Sequence, residues 1–117
     1  EMAIQRIDSG PRMSKAVVNG NTVYLAGIVA DNAAGKSMTE QTKDILSIID
    51  SYLAKAGTDK SKLLSANIWI TDMSKFGEMN AVWDAWVSPG NTPARATVEA
   101  KLANPNYNVE IMVVAAK

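Results

Sequence analysis

The sequence predicts an α+β fold, in which one mixed six-stranded sheet carries two helices on one face. Two observations favour this fold. The predicted elements follow the order β-β-β-α-β-α-β-β, and residues 109–116, which overlap the last predicted strand (108–115), are apolar or small on both faces except at Glu110. A chain of 117 residues is long enough for one sizeable core, so we expect a single domain spanning 1–117.

The first three predicted strands include one hairpin. Residues 2–7 have a weak strand pattern. The segments 15–18 and 22–26 flank an Asn-Gly-Asn sequence at 19–21. Because Asn and Gly tolerate a positive φ, these two segments are predicted to form a hairpin.

The first helix is predicted from its two ends. Ser37 and Glu40 form a capping box, and Gly57 is a natural stop. Apolar residues recur at helical spacing between these signals. They are Ile45, Ile48, Ile49, Tyr52, Leu53 and Ala56.

The second half of the chain is predicted to contain three strands and a helix. The strands are 63–71, 94–100 and 108–115. In the first of them, Ala66, Ile68 and Ile70 share one face, whereas Asn67, Trp69 and Thr71 share the other. Helix-capping residues at 72–74 predict a second helix after them. Its apolar residues are Phe76, Met79, Val82, Trp83 and Trp86.

The composition excludes several classes of function. The chain has no Cys and no His, which excludes thiol nucleophiles, a serine–histidine pair and nearly every zinc site. Twelve basic residues balance twelve acidic ones, so no net positive field recruits nucleic acid or an anionic membrane. There is no apolar run of membrane-spanning length and no signal-peptide pattern, which favours a soluble, cytoplasmic protein.

Two charged residues in strands point to a site. We expect Ala96, Val98 and Ala100 to face the helices, with Arg95, Thr97 and Glu99 on the other face. Two helices cover only one face of a sheet, and both rows of 109–116 are apolar or small apart from Glu110, so we expect a second subunit to cover the other face. If the last two strands form a hairpin, Glu110 falls opposite Glu99, with Arg95 on the order of 13 Å away.

The residue types of Arg95 and Glu110 allow two interpretations of these charges. Arginine matches a carboxylate with two parallel hydrogen bonds, and a glutamate in apolar surroundings can position or deprotonate water. Together they would bind a small carboxylic acid and hydrolyse a neighbouring bond. Alternatively, Arg95 pairs with Glu99 or an interface acid, and Glu110 is a satisfied structural carboxylate.

A family resemblance covers most of the chain. The motifs that carry it are Pro-Ala-Arg-Ala-Thr-Val-Glu at 93–99, Val-Glu-Ile at 109–111, Val-Tyr-Leu-Ala-Gly at 23–27, Trp-Ile-Thr-Asp at 69–72 and Phe-Gly-Glu-Met-Asn-Ala at 76–81. Together they resemble the RidA/YjgF family of enamine/imine deaminases, also called the endoribonuclease L-PSP or translation-inhibitor family.

The resemblance implies a chorismate-mutase-like fold of the bacillus type, assembled as a homotrimer with sites between subunits. It implies that Arg95 binds the carboxylate of a 2-imino or 2-enamino acid and that Glu110 positions the attacking water. Asn80, Gly27, Thr97 and Ala96 would complete the substrate site. The products would be a 2-oxo acid and ammonia, with no cofactor or metal. The balanced charge of the chain, rather than the resemblance, leads us to expect no nucleic-acid or membrane partner.

Several pocket positions depart from the family pattern. Arg12 and Met13 stand where a tyrosine is usual, and Ala26, Ile28 and Thr97 replace a serine, a glutamine and a cysteine. The substrate therefore stays open. Two alternative functions also stay open: a non-catalytic binder of small carboxylates, and an endoribonuclease or translation inhibitor, which the neutral charge and missing histidine disfavour.

Overall fold

The computed structural model describes residues 3–117 and has the predicted order of elements. The strands are β1 (Gln5–Ser9), β2 (Ser14–Asn19), β3 (Thr22–Leu25), β4 (Leu63–Ile70), β5 (Ala94–Glu99) and β6 (Val109–Ala116). The helices are α1 (Met38–Lys55) and α2 (Phe76–Trp86). All six strands form one sheet in the order β1-β2-β3-β6-β4-β5. The prediction of an α+β fold with a mixed six-stranded sheet is confirmed.

The two helices connect strands that run in the same direction. β4 and β5 pair in parallel, and β6 is antiparallel to both β3 and β4, so β3 and β4 also run parallel to each other. Parallel strands need a crossover connection, which α1 supplies between β3 and β4 and α2 between β4 and β5. Neither helix is long and apolar enough to cross a membrane.

The predicted helix and turn signals are confirmed. The Ser37 hydroxyl accepts a hydrogen bond from the Glu40 N–H at 3.1 Å, and Gly57 ends α1 with a φ of 85°. Asp72 accepts a hydrogen bond from the Ser74 N–H at 3.0 Å and caps a short 3₁₀ turn, after which α2 begins. In the hairpin between β2 and β3, Gly20 has the positive φ, at 61°.

The first strand lies further along the chain than predicted. Its predicted start, Met2, is outside the described residues. Within them, β1 runs to Ser9, because its register comes from pairing with β2, from Gln5 opposite Val18 to Ser9 opposite Ser14. An edge strand with few apolar residues carries little pattern of its own from which to fix its ends.

The core lies between the sheet and the helices. The row of β4 that contains Ala66, Ile68 and Ile70 is buried there, as predicted. The matching row of β6 is Val109, Ile111, Val113 and Ala115, and each of these residues is fully buried. The helices contribute Ile45, Leu46, Ile49, Leu53, Met79 and Trp83 to the same cluster.

The predicted hairpin between the last two strands is wrong. β6 lies inside the sheet between β3 and β4, and β5 forms the far edge. Glu110 therefore pairs with Trp69, while Glu99 pairs with Ile70 from the other side of β4. The physical reason is burial, since β6 is apolar on one face and nearly so on the other and gains most from a central position.

The predicted facing of β5 is also wrong. Arg95, Thr97 and Glu99 align with the buried row of β4 and so lie on the helix side. Val98 lies on the opposite side and is 50% exposed. As an edge strand, β5 is only partly covered by α2, so Arg95 and Glu99 of its helix-facing row stay exposed.

Candidate functional site

The side of the sheet away from the helices, here called the open face, is largely apolar and uncovered in a single chain. Tyr24 pairs with Val114 on this side, and Trp69 lies between Glu110 and Val98. Tyr24 is 46% exposed. Contiguous apolar surface of this kind is typical of an interaction surface.

Glu110 is the acid of the open face. Burial raises the pKa of this carboxyl above its ordinary value. Within residues 3–117 its side chain forms no ion pair and accepts no hydrogen bond. A half-buried carboxylate without a partner is costly to the fold, so it is a candidate for a functional group rather than a structural one.

Gly27 supplies the space for this carboxylate. A Cβ at residue 27 would overlap the Glu110 carboxylate and lie 3.0 Å from its Cδ. Two backbone hydrogen bonds between the next residues hold Gly27 and Glu110 close together. The Ile28 N–H donates to the Ile111 carbonyl at 2.8 Å, and the Ile111 N–H donates to the Ile28 carbonyl at 3.1 Å. The absence of a side chain at Gly27 is therefore a requirement for the observed position of Glu110.

Arg95 lies on the other side of the sheet, against α2. Its guanidinium carbon is 5.4 Å from the centre of the Trp83 ring and 5.9 Å from that of Phe76. Among the described residues it has no acidic partner within ion-pair distance. The alternative pairing of Arg95 with Glu99 does not occur in this chain, because Glu99 accepts a hydrogen bond from the Met73 N–H at 2.8 Å instead.

Two predicted site residues near Arg95 carry unpaired polar atoms. The Thr97 hydroxyl and the Asn80 side-chain oxygen are buried and have no hydrogen-bond partner in the described part of the chain. Thr97 shares a face of β5 with Arg95, and Asn80 lies one turn from both Phe76 and Trp83 on α2. These polar groups and the guanidinium line the same boundary between α2 and β5.

The predicted site residues thus fall into two groups within one chain. Gly27 and Glu110 lie together on the open face, as does Ala96, which aligns with the exposed Asn67. Arg95, Thr97 and Asn80 belong to the helix side. Residues paired across a sheet share a face, so a single copy does not bring Arg95 and Glu110 into one pocket.

Two cavities of the chain lie away from both charged residues. A groove of about 670 Å³ between α1 and α2, and a smaller one of about 280 Å³ near Ser37 and Asn108, contain neither Arg95 nor Glu110. A site divided between two sides of a sheet forms no cavity in a single copy. Within residues 3–117, no three acidic side chains are grouped so that they could hold a metal ion.

Sequence reasoning missed three aromatic neighbours of the site. Trp69 flanks Glu110, and Phe76 and Trp83 flank Arg95. The alternation of 63–71 did place Trp69 away from the core side. The spacing of seven residues between Phe76 and Trp83 put both rings on one helix face, but nothing local indicated that an arginine would lie over them.

Comparison with known proteins identifies the family. The family model described as Endoribonuclease L-PSP matches residues 3–117. The crystal structure of a YjgF-family protein from Neisseria meningitidis superposes with a TM-score of 0.95 at 46% identity, covering 99% of this chain and 96% of that one. The chain belongs to the RidA/YjgF family.

Curated relatives agree with this assignment over nearly the whole chain. YoaB of Escherichia coli, a RutC family protein, is 46% identical over 115 residues, which are 98% of this chain and 99% of that protein. A RutC family protein of Haemophilus ducreyi is 46% identical over 113 residues, covering 97% and 96% of the two chains. The predicted membership of the RidA/YjgF family is confirmed, whereas the activity and the role of each site residue stay predictions.

Proposed function

We propose that this RidA/YjgF protein hydrolyses reactive 2-imino and 2-enamino acids to 2-oxo acids and ammonia. The observation that carries the proposal is the Glu110 carboxylate, which has a raised pKa, packs against Gly27 and has no partner among the described residues. Such a group suits proton transfer with water, since a general base works best when its pKa approaches the working pH.

We propose that each site is completed by two subunits. Arg95 and Glu110 project from opposite sides of one sheet, so they meet only if a second copy covers the open face. The exposed apolar residues of that face support such an assembly. In the homotrimer that we propose, three equivalent sites would each take Arg95 from one subunit and Glu110 with Gly27 from its neighbour.

The proposed reaction uses only water and these side chains. The Arg95 guanidinium binds the substrate carboxylate through two parallel N–H donors. Glu110 accepts a proton from water as the water oxygen bonds to C2 of the imine and the C=N π electrons move to nitrogen, which takes up a proton. The resulting carbinolamine passes its hydroxyl proton to nitrogen as the C–N bond breaks, which releases ammonia and leaves a C=O group. An enamino acid first gains a proton at C3 and loses one from nitrogen to become the imine.

Amino-acid oxidase supplies the imine in a direct test. Semicarbazide traps whatever imine remains, so a hydrolase lowers the yield of the trapped adduct and speeds the release of 2-oxo acid. We expect this acceleration from the wild type and its loss in Arg95→Ala and in Glu110→Gln. Glu78→Gln is the matched control, because Glu78 is exposed on α2 and its one ion pair within residues 3–117 is with Lys75, at 3.4 Å.

The outcomes separate the alternatives. No acceleration across a broad panel of imines, together with binding of pyruvate that Arg95→Ala abolishes, would identify a non-catalytic carboxylate binder instead. Cleavage of RNA that depends on Arg95 would point to the ribonuclease named in the family description.

A further inference from the structure

The Arg95 guanidinium lies between two aromatic rings of α2. Phe76 and Trp83 are seven residues apart and therefore lie on one stripe of the helix, roughly 10 Å apart along its axis. The guanidinium carbon is 5.9 Å from the first ring centre and 5.4 Å from the second, and both distances are within the range of a cation–π contact. The guanidinium carbon can be this close to both ring centres only if it lies over the helical turns between Phe76 and Trp83.

Nothing else in the described chain fixes this guanidinium. It has no ion pair within residues 3–117, and the acid on the same row of β5, Glu99, is engaged by the Met73 N–H. A cation–π contact uses the flat face of the guanidinium, so it leaves the N–H groups in its plane available to a carboxylate.

The Trp83 ring is itself held in place. It is 4% exposed, and its centre lies 5.3 Å from that of Trp86 with the planes tilted by 53°. The Trp86 indole N–H in turn donates to Asp50 of α1 at 3.0 Å. The surface on which Arg95 rests is thus tied to both helices.

From these contacts we propose that Phe76 and Trp83 are positioning residues, which hold Arg95 in the orientation that binds the substrate carboxylate. The inference rests on the proposed function, because it concerns the same carboxylate. That carboxylate is unchanged by hydrolysis, so the aromatic contacts contribute equally to substrate and transition state. Weakening them raises KM and leaves kcat nearly unchanged.

Fluorinated tryptophan tests this inference without changing the shape of the core. Fluorine withdraws electron density from the ring face and weakens a cation–π contact stepwise from monofluoro- to difluorotryptophan. We expect KM to rise with each step, to a total of roughly three- to thirtyfold on complete loss of the contact, at constant kcat. Trp83→Leu should show the full effect and Trp83→Phe an intermediate one.

The matched control is fluorination of the Trp83→Phe protein. Trp69 and Trp86 are still labelled in that variant, so any effect of fluorine that does not act through residue 83 persists there. We expect fluorination to leave KM unchanged in the Trp83→Phe protein. A KM that fluorination leaves unchanged in the wild type, or changes equally in Trp83→Phe, overturns the inference even if Trp83→Leu fails to fold.

A second readout separates this inference from the proposed reaction. If the wild type hydrolyses no imine but binds pyruvate, the proposed function fails, and the Kd for pyruvate replaces KM in the same fluorination series. If the wild type binds no small carboxylate, the positioning role is itself overturned.

Discussion

Gly27→Ala gives the most direct test of the Glu110 site. The new Cβ would overlap the Glu110 carboxylate and lie 3.0 Å from its Cδ and 3.4 Å from its Cγ. The carboxylate must then move by about an ångström, a displacement that costs a catalytic group on the order of a hundredfold in rate. The φ of Gly27 is not in the left-handed region, so the backbone accepts alanine and the effect on folding should be small.

The assay is 2-oxo acid release from oxidase-generated imines, with unfolding in urea measured in parallel. Gly77→Ala is the matched control, since a Cβ at that helical residue would meet no atom within 4 Å. We expect a loss of about a hundredfold for Gly27→Ala, and a double variant no less active than Glu110→Gln alone, because both changes act on one carboxylate. Wild-type activity in Gly27→Ala, or multiplicative losses in the double variant, would refute the reasoning.

Three further predictions follow from the same arrangement. The kcat/KM of the wild type should rise with pH through the raised pKa of Glu110, because the base acts as a carboxylate. Glu110→Gln should remove this rising part of the pH–rate profile. If the rise is unchanged in that variant, it belongs to another group. Mixing inactive Arg95→Ala and Glu110→Gln subunits by co-refolding should restore activity to about one quarter of the wild-type level, since one site in four then has both intact residues. If verified mixed trimers recover no activity, the site is not shared between two subunits. Val98→Asp should give monomers in light scattering with an unchanged circular dichroism spectrum, because Val98 is 50% exposed in the single chain and the substitution would place a charge in the proposed interface. An unchanged oligomer mass would exclude this part of the open face from the interface.

Local signals in the sequence were sufficient for the element order and for most element ends. The Ser37 cap, the Gly57 stop and the Gly20 turn are each formed within a few residues, so their geometry is encoded where it occurs. The alternation in 63–71 predicted which side of β4 is buried. The uncovered face was also predictable, because the second row of the last strand, 110–116, is apolar or small apart from Glu110.

The partners of β5 and its facing were decided only by the tertiary structure. Alternation in 94–100 indicates two faces but not which of them packs, and the more apolar row, with Val98, proved to be the exposed one. Pairing with β4 rather than β6 depends on the crossover through α2 and on burial of β6 in the centre of the sheet. These are contacts between segments distant in the chain, and no local pattern specifies them.

The sequence alone is enough to single out Arg95 and Glu110 as candidate site residues, because they are charged residues in strands of a chain without His or Cys. Their positions on opposite sides of one sheet, with Arg95 against two rings of α2 and Glu110 against Gly27, follow from contacts between distant segments. The physical reason is that a residue's chemistry belongs to its side chain, whereas its direction in a sheet depends on which strand it pairs with and which face the helices cover.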